Sequence, residues 1–466
     1  MGKISIQSYF FCILSILSVY FLTKDIQIGI IYLAFTLTSL GVISLFKSNY
    51  YKAAYFIIVL SVTAGYFIRP LVLADHPELF MYPKLTSISG DALVKKSLYF
   101  SLVNFLFISA AFITTVKLFP DKQAIDKESN FLLKHFNIIM LIIFSITLLK
   151  FILITFNNTG IKSDPDRDST YGFVLRLLSP ELTFYVCYIY IAKYWKEISF
   201  RKKALTLFII IITSASVFLT GSKIFLALFG VCIFLNLLYQ NKKIKTIWAL
   251  SLTVLSVIGV VFSFAMAYAV KFSSAKDIAS ILSKADTYTN SKDYLAVGDA
   301  VTQRLMGLDG QIAVYVIQDQ SNKHVTNALR ESFSLRELTL HTLENILPKV
   351  KLSNSPNTGK AISENVVGLS SEISHGGSLG LFASLYFACG DYFFLFDILI
   401  GLFLALYFIY ARRVQSDDLR FILFAIGGYF IIRLVLSGNF DIIMSEFGIE
   451  WIMLYLYVKF IRTTRL

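Results

Sequence analysis

The sequence predicts an all-α polytopic membrane protein with about twelve transmembrane helices, one large extracytoplasmic helical loop and a short re-entrant or interfacial helix. Hydrophobic residues make up 56% of the 466-residue chain, against about 45 to 50% in soluble domains, and the mean hydropathy is +0.67. Apolar runs of about 20 residues, the length that crosses a bilayer, recur along the chain. Only one long segment, from Lys271 to His375, has the polar composition of a soluble protein.

The apolar runs divide the chain into four parts. Residues 1–270 contain nine spans, 271–377 the extracytoplasmic loop, 378–390 the re-entrant or interfacial helix, and 391–466 three more spans. The spans are predicted at 6–23, 26–46, 53–72, 97–117, 135–156, 179–195, 204–220, 223–240, 246–270, 391–411, 418–436 and 448–461. The first run lacks a cleavage site of small residues, so we expect it to remain as a span rather than to be removed as a signal.

The charge distribution predicts the orientation of these spans. The formal net charge is +13, and lysine and arginine concentrate in short loops between the spans. These loops lie at 47–52, 117–127, 193–203, 241–245 and 411–420. Because loops of this kind stay in the cytoplasm, both termini are expected inside and residues 271–377 outside. The basic charge is then explained by topology, without a nucleic-acid partner.

The polar segment itself is expected to be helical. Apolar residues recur at helical spacing around 278–285, 301–308 and 335–346, which predicts amphipathic helices that fold against the membrane surface or against each other. Gly307, Gly310 and the run 353–360 are expected to break these helices.

The stretch after the polar segment is too long for one span, since 378–411 as a single helix would extend about 50 Å. A break is expected at Gly390 and Asp391. The part from Leu379 to Cys389 is too short to cross and is predicted to be a re-entrant or interfacial helix. Ser378 is its expected N-cap, which would present backbone amides to an anion.

The residue pattern gives no sign of a bound cofactor. The four cysteines lie in apolar runs, which argues against a disulfide framework or a cysteine metal site. The outer loops lack His, Asp and Glu at metal-ligand spacing. No glycine-rich loop fits the phosphate-binding pattern of nucleotide sites. The sequence therefore predicts neither a metal nor another cofactor.

Three charged residues fall inside predicted spans, where an ionisable side chain is a candidate for function. These are Lys150, Asp397 and Arg433. The two bases are long enough to reach outward to the membrane surface. Asp397 is short, so it is expected to face the protein interior and to pair with Lys150 or Arg433, either as a structural ion pair or as part of a site.

Basic residues are also predicted to collect on the outer face. Lys223 lies in the turn 220–223, and Arg304 lies on the helix that is expected to end at Gly307. Arg69, Arg167 and Arg176 are expected to complete a ring of outer bases. Each one alone fits a lipid contact or a packing role, whereas together they would form a cleft for an anionic ligand.

His375 is the leading candidate for a general base, because it adjoins both a glycine hinge and a predicted helix start. A lone loop histidine is more often without a catalytic role, so Asp309 is kept as the second candidate.

Three stretches together resemble a known family: TGSKIFLALFG at 220–230, RLMGLDGQIAVYVI at 304–317 and GLFASLYFACGDYFFLFDILIGLF at 380–403. With twelve spans and one large outer loop, the chain resembles the Wzy-type oligosaccharide repeat-unit polymerases of bacterial O-antigen and capsule assembly. Arg304 and Lys223 match recurring basic positions of the family by context. Relatives often carry arginine at the position of Lys223 and glutamate at that of Ser384.

The resemblance implies a membrane glycosyltransferase that needs no metal or cofactor and polymerises undecaprenyl-diphosphate-linked oligosaccharides outside the bacterial cytoplasmic membrane. Lys223, Arg304, Arg433 and Arg176 would bind the diphosphate, with Arg304 also acting in catalysis. His375 would serve as the base, with Asp309 as the alternative. The expected partners are the lipid-linked substrates, membrane lipid, a chain-length regulator and a flippase, without nucleic acid.

Three other functions remain open at this point. An O-antigen ligase has nearly the same architecture but a different acceptor. A flippase for lipid-linked oligosaccharides would also be polytopic and basic, although it has no evident use for a long outer loop. A receptor or adhesion scaffold would carry such a loop without chemistry.

Overall fold

The computed structural model describes residues 3–73, 91–119, 130–157, 179–219, 225–241, 244–245, 307–319, 323–346, 351–367 and 379–463. These residues are almost entirely helical, and the only strands among them are two of two residues each. The strands are β1 (Lys3–Ile4) and β2 (Ile244–Lys245), antiparallel with Lys3 opposite Lys245.

The helices are numbered here in chain order. The first ten are α1 (Ile6–Lys24), α2 (Ile26–Leu45), α3 (Asn49–Val62), α4 (Pro70–Leu73), α5 (Asp91–Leu118), α6 (Phe131–Lys134), α7 (Phe136–Asn157), α8 (Pro180–Ala192), α9 (Phe200–Leu219) and α10 (Phe225–Tyr239). The others are α11 (Gly307–Asp319), α12 (Lys323–Ser332), α13 (Leu335–Ile346), α14 (Thr358–Ile362), α15 (Leu381–Cys389), α16 (Phe393–Arg412), α17 (Asp417–Ser437) and α18 (Phe440–Thr463). Two π-helical turns, Thr63–Phe67 and Ser363–Val367, extend α3 and α14.

Six helical stretches of the described chain are long and apolar enough to cross a membrane: Ile6–Lys24, Ile26–Leu45, Ala92–Leu118, Phe136–Ile154, Leu381–Arg412 and Asp417–Ser437. The protein is therefore a polytopic helical membrane protein. Every predicted span except 246–270 overlaps a helix of the described residues, and 246–270 lies outside them.

Helix α17 is the centre of the described bundle. It begins at its N-cap Ser416, whose hydroxyl accepts a hydrogen bond from the Leu419 amide, and most of its residues are buried, on all of its faces. A helix that is apolar all round belongs in the interior of a large protein or a membrane bundle. Helices α3, α8, α10, α11, α15, α16 and α18 all contact it.

Helix α16 runs parallel to α5 in close contact. A Cβ atom at Gly401 would lie only 2.5 Å from the Ile108 carbonyl oxygen, so the absence of a side chain lets the two backbones approach. The rings of Phe393 and Phe100 meet at 4.5 Å between centroids, at the N-terminal end of α16. These two contacts fix the register of the pair.

The structure corrects the prediction for residues 301–310. Helix α11 includes Gly307 and continues to Asp319, so Gly307 does not end a helix and Gly310 lies inside one. Gly310 is a close-packing residue, since a Cβ atom at this position would lie 1.9 Å from the Leu379 carbonyl oxygen. Residues 307–317 are buried throughout, so this part of the polar segment is in the protein core and not in water.

The prediction of a helix at 335–346 is confirmed, and the side chains that it buries in the protein include polar ones. Leu335 and Leu343 on the predicted apolar face of α13 are exposed, whereas Glu337 and His341 are buried. The acidic side chains bind the following segment: Glu337 accepts hydrogen bonds from the Asn354 and Ser355 amides. The polar face therefore supports the 351–357 segment.

The break at Gly390 is confirmed, because a 3₁₀ turn at Gly390–Tyr392 separates α15 from α16. The expected N-cap is wrong. Helix α15 begins at Leu381 with Gly380 as its N-cap at φ +76°, a conformation that glycine adopts without strain. Helix α15 packs inside the protein, since Leu381 and Phe382 are fully buried.

Candidate functional site

The first part of the candidate site is a junction where three glycines bring four backbone segments together. A Cβ atom on Gly380 would lie 2.6 Å from the Gly307 Cα, and one on Gly438 would lie 2.3 Å from the Gly380 carbonyl oxygen. The Gly380 amide also donates to the Ser437 carbonyl oxygen, at 3.2 Å. The start of α11, the start of α15 and the end of α17 therefore meet at one point, which we call the glycine junction.

Tyr66 is the fourth member of the glycine junction. It lies in the π-helical turn after α3, and a Cβ atom on Gly307 would lie 2.7 Å from its ring. The Phe382 amide donates a 3.0 Å hydrogen bond to the Tyr66 hydroxyl, and the two rings are 4.4 Å apart. Single π turns are frequent at functional sites. Here the turn places an aromatic hydroxyl against the first turn of α15.

Arg69 and Asp309 form a buried ion pair beside the glycine junction. Arg69 Nε donates to one carboxylate oxygen of Asp309 and Nη2 to the other, both at 2.9 Å. Both side chains are fully buried. This two-point geometry is the strongest form of arginine–carboxylate contact. It links the end of the third predicted span to the first turn of α11.

The placement of Arg69 corrects the sequence prediction, which put this residue among exposed bases of the outer face. The pair also bears on Asp309 as the second candidate for a base. Both oxygens of its carboxylate already accept hydrogen bonds, so Asp309 would have to leave Arg69 before it accepted a proton from a substrate.

The second part of the site is a pair of polar residues between α5 and α16. Asp397 follows Phe393 by four residues and precedes Gly401 by four. Asn104 likewise follows Phe100 by four residues and precedes Ile108 by four. Phe100 contacts Phe393, and Ile108 contacts Gly401. In helices that run parallel, this register puts Asp397 and Asn104 at the same level on facing sides. Both are fully buried.

Three buried polar groups of α5, α11 and α16 lack hydrogen-bond partners among the described residues. They are both carboxylate oxygens of Asp397, the side-chain oxygen of Asn104 and the amide of Gln311. The Asn104 amide nitrogen is used, because it donates to the Phe100 carbonyl oxygen at 2.7 Å. Buried polar groups are normally paired. We call Asp397, Asn104 and Gln311 the buried polar centre.

Helix α11 joins the buried polar centre to the glycine junction. Gly307, at one end of the described helix, lies beside the ring of Tyr66. One turn beyond Gln311, the Tyr315 ring lies 6.2 Å from that of Phe100 and under the Lys96 ammonium at 4.0 Å. Gln311 therefore lies between these two contacts, on the helix that packs against α5.

The expected partner of Asp397 is wrong. Arg433 on α17 forms its ion pair with Glu446 on α18. Lys150 is buried. Neither base hydrogen-bonds to Asp397, whose oxygens have no partner in the described part of the chain. The prediction that Asp397 faces the protein interior is confirmed.

Four of the predicted site residues, His375, Arg304, Lys223 and Arg176, lie outside the described residues. Asp309 and Arg433 are placed as described above. Among the described residues, no group of three or more His, Cys, Asp or Glu side chains is arranged to hold a metal ion.

Sequence reasoning missed Tyr66, Asn104 and Gln311. Asn104 had a usable signal, because it is an amide in the middle of the predicted span 97–117. Asn104 is not ionisable, so the search for charged residues inside the spans did not include it. Tyr66 had no such signal, since nothing local distinguishes it from the other tyrosines in apolar runs.

Comparisons with protein-family models, with curated proteins and with solved structures find no match to this chain.

Proposed function

We propose that this protein is a membrane glycosyltransferase that polymerises undecaprenyl-diphosphate-linked oligosaccharide repeat units at the outer face of the cytoplasmic membrane. The proposal includes the predicted twelve spans, the cytoplasmic termini and the external 271–377 loop. It also includes the lipid-linked substrates, membrane lipid, a chain-length regulator and a flippase as partners.

The glycine junction is the observation that carries this proposal. Two of the three family-like stretches, 304–317 and 380–403, are far apart in the sequence, and they meet where Gly307 contacts Gly380. A resemblance in separate short motifs carries more weight when the motifs build one place in the fold. The third stretch, 220–230, lies largely outside the residues whose side chains are described.

The glycine junction also relates two predicted catalytic residues to each other. Arg304 precedes Gly307 by three residues, and His375 precedes Gly380 by five. An extended chain spans at most about 3.6 Å per residue, so the covalent chain limits each of them to within about 11 Å and about 18 Å of the junction. A base and a cation for one reaction must both be within reach of the substrate, and this tether is consistent with that requirement.

The proposed reaction is a glycosyl transfer from a lipid diphosphate. A hydroxyl of one lipid-linked repeat unit attacks the anomeric carbon of a second lipid-linked glycan and loses its proton to the base, His375. A glycosidic carbon–oxygen bond forms, and the carbon–oxygen bond to the diphosphate breaks. Undecaprenyl diphosphate leaves with the bonding electrons. Fixed cations close to it stabilise the transition state more than the ground state.

Each predicted site residue has a role in this proposal. Lys223, Arg304 and Arg176 bind the diphosphate. Arg433 would have to exchange Glu446 for the substrate before it did so, because its guanidinium is already paired. Asp309 positions the start of α11 through its bond to Arg69. His375 is preferred over Asp309 as the base, because the Asp309 carboxylate is already paired with Arg69.

The chain lengths of surface glycan in a strain that lacks this protein test the proposal. Polymerase function predicts single-repeat glycan on the surface. Glycan polymer that stays on the lipid carrier would instead indicate a ligase, and no external glycan a flippase. Normal surface glycan would exclude all three.

Variants supplied to that strain test the roles. His375→Gln should express normally and yield only single repeats, whereas Lys223→Arg should keep much of the polymer because the charge survives. Arg304→Lys should keep less, if a two-point grip on phosphate is needed. Normal chain lengths with His375→Gln would remove His375 as the base.

One observation favours a second candidate, a transporter for lipid-linked oligosaccharide. Asp397 is fully buried inside an apolar helix without a hydrogen-bond partner among the described residues. Unpaired intramembrane acids often mark proton or ion pathways. Flipping of lipid-linked oligosaccharide by the reconstituted protein, without chain extension, would support this function over polymerisation.

A further inference from the structure

The buried polar centre contains polar atoms that have no hydrogen-bond partner among the described residues. Asp397 offers two acceptor oxygens and Asn104 one, with the amide nitrogen of Asn104 already used by the Phe100 carbonyl. The register of α5 and α16 brings these oxygens to one level on facing helix surfaces. Acceptors that face acceptors gain nothing from each other, so either a cation or a proton on the carboxyl group is needed between them.

Gln311 adds a further oxygen from a third helix. Its amide is fully buried and makes no well-aligned hydrogen bond to the described residues, although the Tyr315 hydroxyl one turn away is near it. Carboxylate and carbonyl oxygens are the ligands that hard cations prefer. Helices α5, α11 and α16 thus supply three side chains of the same ligand type.

The charge of the centre limits the cation to one positive charge. Asp397 is the one carboxylate among the three side chains, and burying an uncompensated charge in an apolar bundle is costly. A monovalent cation makes the centre neutral, whereas a divalent cation leaves one positive charge unbalanced. The acid at Asp309 does not supply the second charge, because it is paired with Arg69.

We propose that Asp397, Asn104 and Gln311 bind a monovalent metal cation between α5, α11 and α16, for which sodium is the test ion. The proposal is independent of the sugar chemistry and of the polymerase function. A bound ion would connect α11, through Gln311, to the spanning helices α5 and α16. It would therefore hold this part of α11 in one position.

The test is the thermal stability of the purified full-length protein in detergent. NaCl is titrated while choline chloride keeps the ionic strength constant. Because a ligand that binds only the folded state stabilises it, we expect a saturable rise of about 2 to 4 °C in the melting temperature. Binding of radioactive sodium ion should approach one per chain.

Two variants assign the effect to this site. Asp397→Asn should lose both the melting shift and the sodium binding, since it removes the charge and keeps the shape. Asp391→Asn, which changes an exposed acid in the neighbouring turn, should keep both. If Asp397→Asn gives too little folded protein, Asn104→Ala should weaken the apparent sodium affinity by about tenfold through the loss of one ligand.

Three outcomes would overturn the proposal. One is a wild-type protein whose melting temperature is the same in sodium and in choline, which would mean that Asp397 carries a proton instead. Another is a sodium shift that survives both Asp397→Asn and Asn104→Ala. The third is an equal shift with potassium and lithium that is unchanged by these variants, which would indicate a general salt effect. None of these outcomes depends on polymer formation.

Discussion

Two buried aspartates at different places in the bundle have opposite surroundings. Asp418, at the start of α17, is almost fully buried and has donors on both carboxylate oxygens. Asp397, near the start of α16, is as buried and has no hydrogen-bond partner in the described chain. The same residue type in the same kind of bundle is thus satisfied at one place and left unsatisfied at the other.

The Asp418 network joins three elements. The carboxylate accepts from the Lys193 ammonium at 2.8 Å, from the Tyr194 hydroxyl at 2.8 Å and from the Leu132 amide at 3.1 Å. Tyr190 adds a bond to the Leu132 carbonyl oxygen at 2.9 Å. These contacts connect α6 and the end of α8 to the start of α17. The role of Asp418 is therefore structural.

The difference teaches how to separate structure from function in this protein. A buried acid whose oxygens are all accepting, as in the Asp418 network and the Arg69–Asp309 pair, belongs to the framework. A buried acid without donors is costly to keep. In the buried polar centre, we propose that a bound ligand offsets that cost. The stability lost in variants of the paired acids is the reference for the effect of variants at Asp397.

The largest effect is expected at Arg69. Arg69→Leu leaves Asp309 as a fully buried charge without its arginine, and breaking a buried pair in this way costs about 3 to 5 kcal/mol. The double variant Arg69→Leu/Asp309→Leu should recover part of this stability, because no charge is left behind. Chemical denaturation of the purified protein measures both. A double variant as unstable as the single one would show that the pair is not the source of the loss.

A smaller effect is expected at Asp418. Asp418→Asn removes the charge from the network and weakens several hydrogen bonds, and we expect a loss of about 2 to 3 kcal/mol. This expected loss of stability is smaller than that for Arg69, because Lys193 is 39% exposed and water screens its charge. Glu197→Gln, an exposed acid close to Tyr194, is the matched control and should leave stability unchanged within about 0.5 kcal/mol. Equal stability of Asp418→Asn and the control would refute the framework role.

The smallest effect concerns pH and the 351–357 segment. Burial alone would raise the pKa of Glu344, but hydrogen bonds from Ser353, Leu352 and His341 outweigh it and hold the pKa below its usual value. A lowered pKa in the folded state stabilises above the unfolded value of about 4.5, and this contribution disappears as the pH falls through the folded value.

Hydrogen exchange at the Ser353 amide reports this contribution. At neutral pH, Glu344→Gln should speed exchange by up to about tenfold, equivalent to about 1.4 kcal/mol. Glu331→Gln, an exposed acid on α12, should have no effect. Exchange that is equally slow in Glu344→Gln would show that the carboxylate does not hold the 351–357 segment.

Hydropathy was sufficient to predict the six long apolar helices of the described chain, because a span is specified by its own residues. The boundaries of α1 and α2 agree with the predicted runs within about one residue, and the break at Gly390 follows from helix length alone. The contact of Glu337 on α13 with Asn354 was not predicted, because local periodicity does not report a bond to a later segment.

The site depended on contacts between distant residues. Arg69 and Asp309 are 240 positions apart, so neither charge could be assigned to the interior from its own neighbours. Gly310 was interpreted as a break because its role is set by the Leu379 carbonyl oxygen across the glycine junction. Asp397 was predicted to be buried, since its side chain is too short to reach the surface, but its missing partner is a property of the fold.

Chain extension by the purified protein in proteoliposomes tests the proposed function most directly. The substrate is a purified undecaprenyl-diphosphate-linked repeat unit, and wild type, Arg304→Ala and Asp418→Asn are compared at equal amounts of folded protein. Wild type should give a ladder of repeats. Arg304→Ala should lose about 10² to 10³ in rate and keep its melting temperature, whereas Asp418→Asn should melt earlier and keep its rate per folded molecule. A wild type that makes no product longer than the substrate, or an Arg304→Ala variant with an unchanged ladder, would contradict the proposal.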